Sequence, residues 1–144
     1  MKKYITNSEK ETFNLGKKIA TTIKGGEVVA LSGNLGAGKT VLIKGIAAGL
    51  GIKKTITSPT FVLMKVYPVK GFTFNEIKKL VHIDCYRSSS PEDIKAVGAL
   101  DYFNDNETIV VIEWAEKIKK ILPKKTVNIK IKIGRINNRN ITIK

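Results

Sequence analysis

The sequence is short of cysteine, histidine and long apolar runs, and each shortage closes off a class of protein. Cys85 is the one cysteine in 144 residues. No internal disulfide can form, and metal sites built on paired cysteines are excluded. His82 is the one histidine, and it reads as a satisfied, half-buried side chain in preference to a catalytic one. No stretch is long and apolar enough to span a bilayer. The opening residues, Met1 to Glu9, turn polar too soon for a signal peptide. These shortages lead to the expectation of a cytoplasmic protein with one domain over residues 1–144. That length is enough to bury a core, and a 42% hydrophobic content is that of an ordinary globular chain. There is no internal repeat and no low-complexity linker.

Acidic residues are scarce as well. Lys and Arg number 26 against 12 Asp and Glu, for a net charge of +14. No acid follows Glu116, while ten lysines and arginines run from Lys117 to Lys144. Such an end suits a polyanion, and RNA is the obvious one. No aromatic side chains are interleaved for stacking, so the run reads first as a solvated lysine-rich surface.

What is present is an alternation of helical and strand signals. Ser8-Glu9-Lys10-Glu11 reads as a capping box, with Ser8 as N-cap and Glu11 reaching back. Thr12, Leu15, Gly16, Ile19, Ala20 and Ile23 then share one helical face, and Gly25-Gly26 ends the helix. Glu27 to Ser32 is a buried strand, Lys39 to Leu50 a helix stopped by Gly51, and Phe61 to Val69 another strand. Lys70 to Lys79 reads as a loop or wide hairpin leading to a strand over Leu80 to Asp84. Pro91 to Val97 suits a short helix with Ser90 as N-cap. Thr108 to Ile112 is a continuous apolar run, hence a buried strand. Trp114 to Ile121 reads as a helix ended before Pro123. Val127, Ile129, Ile131 and Ile133 alternate with polar residues, as in a half-exposed antiparallel strand, and Ile141 to Ile143 forms the last strand. The pattern predicts an α/β fold: a three-layer sandwich of the P-loop NTPase kind, with a mostly parallel central sheet and antiparallel strands at the C-terminal edge.

Between the first buried strand and the helix that follows lies Gly33-Asn34-Leu35-Gly36-Ala37-Gly38-Lys39-Thr40. It matches the phosphate-binding pattern G-x-x-x-x-G-K-[ST] without a gap, and a chance match in such a chain is on the order of one in a hundred. The glycines let the backbone curl so that its N–H groups face phosphate oxygens. The helix N-terminus adds its positive end. Lys39 is expected to reach the β- and γ-phosphates, and the Thr40 hydroxyl to ligate Mg²⁺. The bound species is then a nucleoside triphosphate, held by the loop from Gly33 to Val41.

A Mg²⁺ site there needs a carboxylate opposite Thr40. Two strands end in acids at the edge where open α/β sheets bind ligands: Ile109-Val110-Val111-Ile112-Glu113 and Val81-His82-Ile83-Asp84. Glu113 closes the longer apolar run and takes the metal-holding role. Asp84 is expected to polarise the attacking water or complete the Mg²⁺ shell. Alternation puts His82, Asp84 and Tyr86 on one strand face. Arg87 suits a salt bridge better than an arginine finger, Trp114 suits packing that shields the site, and Cys85 suits inert core.

Four stretches together carry a resemblance: Leu31 to Thr40, Ser58-Pro59-Thr60-Phe61, His82-Ile83-Asp84-Cys85-Tyr86-Arg87 and Ile112-Glu113-Trp114, with Leu122-Pro123 beyond them. In order and spacing, from about Glu9 to Pro123, the chain resembles the TsaE family of ATPases in tRNA threonylcarbamoyladenosine biosynthesis. The resemblance implies a Mg²⁺-dependent ATPase that works with the partner proteins TsaD and TsaB on adenosine 37 of tRNA. It implies that Thr40 and Glu113 hold Mg²⁺, that Asp84 assists hydrolysis, and that Ser58 to Phe61 form a nucleotide-sensing switch. It further implies adenine or ribose contacts from Glu9 and from an arginine near the last strand. That arginine is placed at Arg139, with Arg135 an equal match by spacing. The family usually has Asp where Asn34 stands and an aliphatic residue where Cys85 stands. Competing readings are a small nucleoside or nucleotide kinase, for which three arginines after Thr40 are thin provision for a lid, and a nucleotide-gated RNA-binding module.

Overall fold

The buried apolar runs become the centre of a seven-stranded sheet. The structure is a computed structural model that describes residues 1–71 and 76–144. In chain order its elements are β1 (Lys2–Thr6), α1 (Glu9–Ala20), β2 (Val28–Ser32), α2 (Lys39–Gly49), β3 (Met64–Pro68), β4 (Lys79–Asp84), α3 (Pro91–Ala96), β5 (Thr108–Glu113), β6 (Thr126–Ile133) and β7 (Arg139–Ile143). Two 3-10 helices, Ala99–Tyr102 and Ala115–Ile121, flank β5. The strand order is β1-β7-β6-β2-β5-β4-β3. Strands β6, β2, β5 and β4 run parallel. Pairing turns antiparallel at both margins, β1 and β6 with β7 and β3 with β4.

Strand alternation divides the core between two faces. Val29, Leu31, Ile109, Val111, Ile129 and Ile131 pack under α1 and α2. Val28, Ala30, Val81, Ile83, Val110 and Ile112 pack under α3 and the 3-10 helices. The result is the expected three-layer α/β sandwich. Helices α1 and α2 approach until a Cβ on Gly16 would lie 2.3 Å from the Leu42 carbonyl oxygen, and one on Gly45 2.1 Å from that of Phe13. The two glycines therefore set the depth at which α2, and the loop at its N-terminus, sits on the sheet.

Several local expectations shift. Helix α1 ends at Ala20, where the Thr21 and Thr22 hydroxyls donate to the Lys18 and Ile19 carbonyls, so Gly25-Gly26 come after its end and do not make it. Ser8 does cap α1 by accepting from Glu11 N–H, but the Glu11 carboxylate reaches the Asn7 N–H, one residue before the cap. Strand β1 was not among the expected elements, because Lys2-Lys3-Tyr4-Ile5-Thr6 is half charged and polar. It gains its order by pairing with β7. Strand β6, read as antiparallel, is antiparallel to β7 and parallel to β2. Alternation reports that one face is exposed; it carries no information on a neighbour's direction. The segment after Glu113 is a kinked 3-10 helix in place of an α-helix. Strand β3 begins at Met64, three residues later than expected. The Val69 N–H donates to the Lys78 carbonyl at 2.8 Å, extending the β3–β4 hairpin. The middle of the expected Lys70 to Lys79 connection, residues 72–75, lies outside the described residues.

Candidate phosphate-binding site

The parallel strands β2, β5 and β4 end side by side, and a cleft of about 400 Å³ opens beyond their carboxyl ends. Leu31 pairs with Glu113, and Glu113 with Asp84, so sheet register alone brings both acids next to the loop that leaves β2. That loop needs its glycines. A Cβ on Gly33 would lie 2.3 Å from the Ile131 carbonyl oxygen, because the chain leaves β2 pressed against β6. Gly38 caps α2 in the left-handed conformation, φ 103°, which disfavours any side chain. No side chain caps α2, and its first turn holds no acid. The backbone N–H groups there are those that a helix cannot satisfy itself, and they face the cleft with the positive end of the helix dipole.

Lys39 is buried to 4% exposure. Its ammonium donates to the carbonyls of Gly33 at 2.6 Å and Asn34 at 3.0 Å, and lies 4.0 Å above the Trp114 ring. Burial draws its pKa below the ordinary lysine value, and Glu113, Glu116 and Asp84 oppose that shift. Trp114 reaches this position through a left-handed backbone, φ 58°, uncommon outside glycine. It also packs on Tyr86, with ring centroids 5.1 Å apart. Trp114 was expected to pack and shield the site; it packs on Tyr86 and lines the cleft.

The two acids are held differently. The Thr40 hydroxyl lies 3.1 and 3.0 Å from the two carboxylate oxygens of Glu113. His82 supports the same carboxylate from behind, its Nε2–H donating to Glu113 Oε1 at 2.9 Å. His82 is fully buried, more than the half-burial expected, and its Nδ1 has no hydrogen-bond partner among the described residues. Asp84 instead accepts from the Ser58 hydroxyl, from the Thr60 hydroxyl at 3.1 Å and from the Tyr86 N–H at 2.8 Å. The expected switch, Ser58 to Phe61, is thereby tied to the second acid. Pro59 is buried, while Phe61 stands 82% exposed with the Arg87 guanidinium 4.4 Å from its ring centre. Arg87 therefore stacks on an aromatic ring, and among the described residues it makes no ion pair where a salt bridge was expected. Cys85 is core, as read, and burial, then the Asp84 charge, pushes its thiol up to about 12.

Of the expected site residues, Glu9, Leu35, Gly36, Gly38, Lys39, Thr40, Val41, Ser58, Thr60, Asp84, Glu113 and Arg139 all line this cleft. Gly33, Asn34 and Ala37 shape the loop from outside the lining, and Asn34 points to solvent. Arg139 and Arg135, equal by spacing, are separated by the fold. Arg139 lies against Gly38, where a Cβ would be 2.9 Å from its Nε, and that Nε is buried without a hydrogen-bond partner among the described residues. Arg135 lies outside the cleft. An orphaned guanidinium nitrogen, an uncapped helix N-terminus and a buried ammonium form a donor set suited to a polyphosphate. A hydroxyl beside a carboxylate suits Mg²⁺, which takes few protein ligands and keeps water and phosphate oxygens. Another cavity, of about 570 Å³, lies between Gly51 to Lys54 and Tyr67 to Gly71 and has no carboxylate in its lining.

Known proteins resemble this chain over nearly its whole length. The profile of the family described as "Threonylcarbamoyl adenosine biosynthesis protein TsaE" matches residues 6–141. A tRNA threonylcarbamoyladenosine biosynthesis protein TsaE of Treponema pallidum is 38% identical over 139 residues, 96% of this chain and 97% of that one. Its counterpart in Rickettsia typhi is 39% identical over 139 residues, covering 96% and 91%. The crystal structure of Bacillus subtilis YdiB superposes with a TM-score of 0.79 at 33% identity, over 99% of this chain and 83% of that one.

Proposed function

This chain belongs to the TsaE family of tRNA threonylcarbamoyladenosine biosynthesis proteins, and from that premise we propose that it binds and hydrolyses Mg-ATP to support that modification in the cytoplasm, together with TsaD and TsaB. The observation that carries the proposal is the meeting of the Thr40 hydroxyl with both oxygens of Glu113 at the mouth of an uncapped helix. Two side chains 73 residues apart in sequence converge there, a hydroxyl and a carboxylate side by side.

In this reading the N–H groups of Gly36 to Thr40 cradle the phosphates. Lys39, which donates to the Gly33 and Asn34 carbonyls, would exchange them for the β- and γ-phosphates that the same loop cradles. Thr40 and Glu113 would hold Mg²⁺, which when bound offsets the negative charge of the phosphates. His82 fixes the orientation of Glu113. Asp84 polarises the attacking water, and its bonds to Ser58 and Thr60 couple that role to the position of the switch. Glu9 and Arg139 line the cleft beside the loop and would hold the ribose or base. Leu35, 71% exposed, lines this opening, and Phe61, 82% exposed, directly follows Thr60, which lines it. Exposed apolar side chains at a catalytic rim support assembly with partner proteins there.

The test is ATP turnover measured with Mg²⁺, alone and with TsaD and TsaB from one source, with a panel of nucleosides added in parallel. Phosphate release that rises with the partners supports the proposal. A phosphorylated nucleoside product would overturn it in favour of a kinase.

A further inference from the structure

The basic end of the chain is folded sheet. Strands β1, β6 and β7 contain no acidic residue, and register sorts their side chains strictly. Ile129, Ile131 and Ile141 turn to the α1 and α2 side. On the other face, Lys3, Thr142 and Lys130 form one cross-strand row. The two lysines are therefore roughly 10 Å apart at the backbone, two strand spacings. The next row on that face is Ile5, Asn140 and Lys132. On the other side of the lysine row, Asn128 exchanges backbone hydrogen bonds with Lys144. Lys3, Lys130, Lys132 and Lys144 are all exposed, as are Asn128 and Asn140. The central part of this sheet face is covered by α3 and the 3-10 helices, whereas these three strands present it to solvent.

We propose that this face docks RNA through its sugar–phosphate backbone. Four ammonium groups with no acid among them meet the charge of a polyanion, and the amides and hydroxyl between them can bond phosphate or ribose oxygens. A membrane surface fits less well, because interfacial binding needs a bulky apolar complement and strands β1, β6 and β7 supply this face with Ile5 alone, Met1 lying just before β1. With no aromatic ring on the face, bases are not stacked, so contact is insensitive to sequence and sensitive to salt. The choice of tRNA as probe rests on the functional reading above; the surface itself does not depend on nucleotide chemistry.

The experiment is fluorescence anisotropy of labelled tRNA titrated with the full chain. Four lysine contacts predict a loss of roughly a hundredfold in affinity between 50 and 200 mM salt. The triple variant Lys3→Glu, Lys130→Glu, Lys132→Glu is expected to lose on the order of a hundredfold at 100 mM salt and to flatten the salt slope. The triple variant Lys17→Glu, Lys18→Glu, Lys44→Glu, on the helical layer, changes net charge equally and is expected to lose far less. Equal losses in the two variants, no loss in the first, or a preference for phosphatidylserine vesicles over tRNA would each overturn the proposal. Should the first variant fail to fold, the Lys→Gln triple at the same positions gives the same ordering with a smaller loss. ATP turnover is measured on every sample. The sheet-face variant is expected to keep it, and a wild-type chain that binds tRNA but does not hydrolyse ATP even with TsaD and TsaB present would sink the nucleotide reading and leave this one standing.

Discussion

Glu113 and Asp84 are both strand-end acids, 3% exposed, yet their surroundings differ. Glu113 shares its oxygens with Thr40 and His82, both able to hold it still beside a cation. Asp84 is held by two hydroxyls of a loop and one N–H. The corresponding variants are expected to separate in kinetics. Glu113→Gln keeps the shape and removes the charge, so hydrolysis should fall and the Mg²⁺ concentration for half-maximal rate should rise. Asp84→Asn should lower the maximal rate with little change in that Mg²⁺ requirement. Titrating turnover against Mg²⁺ for both variants, with partners present, checks this, and full activity in Asp84→Asn would remove its assigned role.

Helix α2 presents the phosphate loop, and its seat on α1 depends on residues with no side chain. Gly45→Ala places a methyl group against the Phe13 carbonyl oxygen. The helices must part, at about 1–3 kcal/mol, and a lower urea midpoint with an unchanged slope is the expected result. Helix α3 depends on a cap. The Asp93 carboxylate accepts from the Ser89 and Ser90 N–H groups and the Ser89 hydroxyl. These bonds, the Ser89 N–H first, hold its pKa below the ordinary 3.8. A carboxylate whose folded pKa is depressed contributes stability above its unfolded value and loses it as pH falls through the lowered one. The melting temperature of the wild type should therefore exceed that of Asp93→Asn at pH 6, and the gap should close below pH 3.8. A gap independent of pH would contradict the assignment.

A ligand held beyond the carboxyl ends of the parallel strands would act on the stability of the whole molecule. Mg-ATP at about a hundred times its Kd should stabilise the fold by about 2.7 kcal/mol, a rise in melting temperature of roughly 5–10 °C for a chain of this size. Lys39→Ala, which removes the ammonium from the loop, should abolish both the rise and hydrolysis. A variant that melts normally without nucleotide and still responds to it would show that the site lies elsewhere. At this scale the sequence determined a good deal by itself. The loop from Gly33 to Thr40 was legible because its backbone turns left-handed at spaced positions that glycine fills, Gly36 and Gly38, and the sandwich was legible because buried parallel strands are apolar throughout. The acids Asp84 and Glu113 were legible because each ends such a run. The tertiary structure decided what depends on partners far along the chain. It ordered β1, whose signal is too polar to stand alone. It chose Arg139 over Arg135 through the β6–β7 pairing, and placed Trp114 beneath Lys39 through a left-handed residue that composition does not announce. It joined Ser58 and Thr60 to Asp84, and turned a run of basic residues into one open sheet face. Local pattern fixes what a segment can be, since propensity and burial act within a few residues. Register and neighbour choice are set by contacts between segments, and no single segment contains them.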